Sequence, residues 1–96
     1  MLGEKIKILR EAKGLMQKDI AYELQVDITY VSRMENNEKP VSRKYLKKLS
    51  HLLEIPEKEL QTLWLADKVF EITRNEPGAM EALTLIQHEL KKTNND

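Results

Sequence analysis

Apolar residues recur along this chain at intervals of three and four, and polar breaks divide them into helical segments. Leu2, Ile6, Leu9 and Ala12 form one stripe, closed by Gly14, a residue suited to the left-handed position after a helix; the pattern predicts a first helix over residues 2–13. Glu4, Lys7 and Glu11 fall on its outer side at the spacing of surface charge pairs. Ile20, Ala21 and Leu24 mark a second helix, residues 17–24, and Val31 with Met34 a third, residues 28–36, for which Asp27 is a good N-cap. After a polar loop at 36–40, Ser42 is expected to cap a fourth helix with Tyr45, Leu46, Leu49, Leu52 and Leu53 on one stripe. Ile55-Pro56 ends it and opens a fifth.

The fifth helix differs in kind. Leu60, Leu63, Trp64, Leu65, Ala66, Val69, Phe70 and Ile72 spread around more than one face, so it must be covered on more than one side. Residues 75–78, Asn-Glu-Pro-Gly, break the pattern. A last helix over about 77–92 carries the stripe Met80, Leu83, Ile86 and Leu90, and the tail from Thr93 to Asp96 is expected to fray.

Between the second and third segments there is room for a turn of only three or four residues. Two helices of eight residues sharing an apolar seam across so short a turn must cross steeply, which is the helix-turn-helix arrangement. At Gln17, Ile20, Ala21, Leu24, Val26, Val31, Met34 and the Glu35-Asn36 pair, the chain resembles the phage repressor and Cro-like (Xre-type) DNA-binding domains. The resemblance covers roughly residues 2–66. It implies an all-α, five- or six-helix lambda-repressor-like domain at 1–66; the apolar surface left over on the last two helices makes 67–96 the expected C-terminal helical extension for dimerisation. Three positions depart from the family's pattern. Met16 stands in place of a Ser or Thr cap, a loss of about 1 kcal/mol. Gln25 replaces a turn glycine, at a strain of about 1 kcal/mol if the backbone there is left-handed. Asn37 replaces another glycine, and Asn tolerates that geometry.

Charge sharpens this reading. The formal net charge is zero, yet residues 1–55 hold 11 Lys/Arg against 8 Asp/Glu, and residues 56–96 hold 5 against 8. The run from 39 to 48 carries Lys39, Arg43, Lys44, Lys47 and Lys48 with no acid, just after the third helix. Phosphate binding depends on such local surface rather than on whole-chain charge.

If Val31 and Met34 face inward, Ile28, Thr29, Ser32, Arg33 and Asn36 project outward. Arg33 can pair with guanine O6 and N7, while Thr29 and Ile28 can touch a thymine methyl. The resemblance implies base reading by the start of this helix and by Arg33; an ion pair of Arg33 with Glu35 or Asp27 is the competing role. Gln17, at a helix N-terminus, is placed for a phosphate, and its family counterparts contact the backbone. Asn36, Asn37, Lys39, Arg43, Lys44 and Lys47 are the other phosphate candidates. Tyr30 is expected to pack on the helix edge.

Catalysis finds no support. His51 and His88 are isolated, with no metal-ligand spacing, no phosphate-cradling glycine loop and no nucleophile elbow. Isolated Met16, Met34 and Met80 read as core filling. No Cys is present and no apolar run could span a membrane, in keeping with a cytoplasmic protein that uses no disulfide, metal or cofactor. The expected protein is a homodimer on double-stranded DNA, joined through Leu65, Val69, Phe70, Met80, Leu83, Ile86 and Leu90. It would regulate transcription, as repressors and restriction–modification controllers do; an antitoxin bound to a toxin is the alternative.

Overall fold

The computed structural model describes residues 1–94, and every regular element among them is helical: α1 (Leu2–Ala12), α2 (Gln17–Leu24), α3 (Ile28–Glu35), a 3-10 turn (Arg43–Tyr45), α4 (Leu46–Leu53), α5 (Glu57–Thr73) and α6 (Ala79–Asn94). Leu2, Ile6, Ile20, Val31, Met34, Leu46, Leu49 and Leu60 are fully buried in one core built by α1 to α5. Leu9 packs at its edge, but Ala12 is exposed because the helix has already turned away.

One closing geometry ends four of the helices. Gly14, Gln25, Asn37 and Glu54 hold the four positive φ angles among the described residues, at 69°, 57°, 61° and 53°. Each donates its amide three residues back, and the next residue donates five back: Gly14 to Glu11 and Leu15 to Arg10, Gln25 to Tyr22 and Val26 to Ala21, Asn37 to Met34 and Glu38 to Arg33, Glu54 to His51 and Ile55 to Ser50. These bonds satisfy carbonyls that a helix end leaves open. Only α1 uses glycine. Gln25 and Glu54 therefore carry left-handed strain, and Gln25→Gly should raise unfolding free energy by about 0.5–1 kcal/mol in urea melts. At Glu54 the exposed carboxylate meets the Lys13 ammonium, whose hydrogen bond holds it below the usual carboxylate range.

Caps follow the sequence at α3, where Asp27 Oδ1 accepts the Thr29 amide at 3.0 Å. Met16 offers α2 no hydroxyl; instead Asp19 Oδ2 reaches back to the Met16 amide at 2.7 Å. Ser42 does not cap α4. Its amide donates instead to the Tyr30 hydroxyl at 3.4 Å, and the chain enters α4 through a 3-10 turn without a side-chain cap. Lys7 forms no pair with Glu4 or Glu11 among the described residues; Glu4 accepts from Asn37 Nδ2 at 2.6 Å. At this same N-terminal end of α1, Asp67 on α5 accepts the Leu2 amide at 2.9 Å, tying the first helix to the fifth.

Beyond Leu60, α5 leaves the core. Leu63 and Trp64 are half-buried, whereas Leu65, Phe70 and Ile72 are exposed. α5 passes through residues 66 and 67 without a break, so the expected boundary lies inside a helix. α6 starts at Ala79, two residues beyond Pro77, and buries no residue. Thr93 and Asn94 belong to it rather than to a frayed tail; Asn95 and Asp96 lie outside the described residues.

Candidate nucleic-acid interface

Residues 25–27 join α2 to α3, the short turn required for two helices to share one seam. Ile20, Ala21 and Leu24 from α2 meet Val31 and Met34 from α3 in the core. With those positions inward, α3 turns Ile28, Thr29, Arg33 and Asn36 to solvent, while Ser32 is half-buried. Ile28 is 48% exposed.

A buried ionic cluster holds this surface in place. Glu35 is 2% exposed and Arg10 8%; Arg10 Nε lies 2.6 Å from Glu35 Oε2 and its Nη2 3.0 Å from Oε1. Arg10 Nη1 also donates to the Leu15 carbonyl at 2.9 Å, and Gln17 Nε2 donates to Glu35 Oε1 at 3.1 Å. The fork-on-fork pairing raises the Arg10 pKa further, mainly through the Glu35 hydrogen bonds. A carboxylate in the last turn of a helix faces the negative end of its dipole, and Arg10 offsets that cost. One cluster thus joins α1, the start of α2 and the end of α3.

This cluster bears on the ion pair expected as Arg33's competing role. Glu35 is committed to Arg10 and Asp27 to the cap, and among the described residues Arg33 makes no ion pair. The guanidinium is left exposed beside Thr29 and Ile28. Sequence reasoning placed Glu35 in the motif but missed its partner: Arg10 sits among α1 charges that look solvated, and only the fold turns it inward.

The phosphate candidates divide into two groups. Lys39, Lys44 and Lys47 are exposed, although Lys44 Nζ also lies 5.2 Å from the Tyr45 ring. Arg43 stacks on Trp64, 5.2 Å from the ring centroid, and Trp64 Nε1 donates to the Val41 carbonyl at 2.9 Å. Gln17 is half-buried with its amide turned toward Glu35, and Asn37 donates to Glu4. For Gln17, the first residue of α2, the backbone amide remains the natural donor toward an anion, whereas the Asn37 amide is already given to the Met34 carbonyl. Tyr30 packs as expected: it stands 6.1 Å from the Tyr45 ring and its hydroxyl donates to the Pro40 carbonyl at 3.2 Å.

Fold and surface define a helix-turn-helix DNA-binding protein. A helix-turn-helix family model matches residues 6–60, more than half the chain, and the chain belongs to that family of Xre and lambda-repressor-like DNA-binding regulators. No curated protein and no solved structure matches the chain. Among the described residues no helix is long and apolar enough to cross a membrane.

Proposed function

We propose that this protein occupies a two-fold symmetric operator as a homodimer and thereby controls transcription, most simply as a repressor. The recognition helix is α3: Ile28, Thr29, Ser32 and Arg33 read base edges, and Lys39, Arg43, Lys44 and Lys47, with Asn36, Asn37 and the amide of Gln17, hold phosphates. The observation that carries the reading is the exposed Arg33 guanidinium, which has no ion-pair partner among the described residues, Glu35 and Asp27 being committed elsewhere. Two-fold symmetry follows from geometry, since paired recognition helices about 34 Å apart meet successive major grooves. Residues 1–66 form the DNA-binding part and 67–96 the dimerisation extension in this reading. Leu65, Val69, Phe70, Met80, Leu83, Ile86 and Leu90 supply the contact. Control of a restriction–modification operon or of a phage promoter would fit equally.

Binding of the pure protein to DNA upstream of its gene is the direct test. A saturable complex that survives excess random DNA supports the proposal; equal affinity for both overturns it. Within that assay, Arg33→Ala should cost about 1–3 kcal/mol on the specific site and little on random DNA. Lys47→Ala should weaken both alike and lower the salt slope by about 1. Equal losses for Arg33→Ala on the two DNAs would remove Arg33 from base reading.

A toxin-neutralising role is the second reading, favoured by the exposed apolar side chains of α5 and α6. A chain that stays monomeric alone and ignores its upstream DNA would point there.

A further inference from the structure

α5 has two apolar faces. With 3.6 residues per turn, Leu65, Val69 and Ile72 lie opposite the stripe of Leu60, Leu63 and Asp67 that meets the domain. Leu65 is 58% and Ile72 74% exposed while Val69 between them is half-buried, so most of the outer face is uncovered. α6 carries a second uncovered stripe, with Ile86 at 51% and Leu90 at 55%. Leu65 to Ile72 and Leu83 to Leu90 each span seven residues, a rise of about 10.5 Å.

α6 does not close over its own α5. The connection is itself a run of hydrogen-bonded turns: Arg74 donates to Phe70, Glu76 to Thr73, Ala79 to Glu76 and Ala82 to Gly78. These bonds set the direction in which α6 leaves, and folding it back would break them. At the far end of α5, a groove of about 680 Å³ runs between that helix and α1, floored by Pro56, Leu63 and Ile8, the last 62% exposed. Its rim mixes Glu4 and Glu59 with Lys5 and Lys58, as the end of α6 mixes Glu89 with Lys91 and Lys92.

We infer that α6 of a second copy lies antiparallel along the outer face of α5 and ends in the α1–α5 groove, each copy lending its last helix to the other. Leu83 then packs near the partner's Ile72, and Leu90 near the partner's Leu65. The end of the helix brings both charge signs to a rim that offers both. The exchange is reciprocal, so the contact closes with two-fold symmetry and leaves no face open for further growth. A surface of two helices about 25 Å long reaches the size that specific association needs. This rests on the homodimer reading and adds to it the path of the helix and the role of α1.

The chain has no Cys, so an engineered pair reports alone. Leu65→Cys with Leu90→Cys, oxidised and run on a non-reducing gel, should give a covalent dimer. Ile8→Glu, at an exposed position, should leave the circular dichroism unchanged and weaken the dimer at least about ten-fold by sedimentation. A disulfide closed within single chains overturns the exchange. A dimer that neither cross-links nor responds to Ile8→Glu also overturns it, while leaving the homodimer standing. A wild-type chain that sediments as a monomer at high micromolar concentration removes the homodimer reading itself.

Discussion

Glu35→Gln should destabilise the protein by about 3–5 kcal/mol, a large part of the roughly 5–15 kcal/mol that holds a domain of this kind together. The glutamine keeps the shape of the carboxylate but strips the countercharge from Arg10, which is 8% exposed and cannot reach water without opening the core. The Arg10 Nε and Nη2 donors, now 2.6 Å and 3.0 Å from the carboxylate, would face a neutral amide with one acceptor oxygen. Urea melts measure the loss. The companion double variant Arg10→Met with Glu35→Leu should recover most of it, because apolar side chains of similar size remove the stranded charge along with its partner. A single variant within about 0.5 kcal/mol of the parent would show that the cluster is solvated in practice and would withdraw it as the brace behind α3.

The second large effect concerns assembly. Leu83→Glu with Ile86→Glu should yield a folded monomer whose operator affinity falls steeply, because each half-site is then bound alone. Ile86 is already 51% exposed and α6 buries no residue, so two carboxylates there cost the monomer little. In a dimer they would be forced into an apolar contact, where an unpaired charge is very costly. Sedimentation with circular dichroism decides the matter: an intact dimer, or an unfolded chain, defeats the proposed role of residues 67–96.

Much of the fold was legible because helix periodicity and helix ends are local signals. The stripes at Ile20, Ala21 and Leu24 and at Val31 and Met34 are enough to bound α2 to the residue, and Asp27 caps α3 as its position implies. What escaped depends on distant partners or on backbone geometry that side chains do not advertise. Arg10 looks like any solvated charge on α1 until Glu35, 25 residues away, is brought beside it. Glu54 gives no sign that it will take a left-handed φ, since it is neither Gly nor Asn. Ser42 has the right chemistry for a cap, but its side chain caps nothing and the chain enters α4 through a 3-10 turn. For the DNA surface the outward face of α3 follows from periodicity alone, whereas the freedom of Arg33 and the engagement of Gln17 and Asn37 needed the fold.

Gly3 sets a last condition on how such a surface can meet DNA. A Cβ there would stand 2.2 Å from the Met34 carbonyl and 2.6 Å from Asn37 Oδ1, so the first turn of α1 presses directly on the end of α3. With bare backbone against backbone, α3 has no slack in which to tilt or slide. In the proposed two-fold mode, a half-site slightly out of register would not be met by adjusting the helix, and the adjustment would pass to the duplex. Bending or overtwisting DNA costs more at stiff steps than at flexible ones. Base pairs between the half-sites, touched by no side chain, would then influence affinity through their stiffness alone.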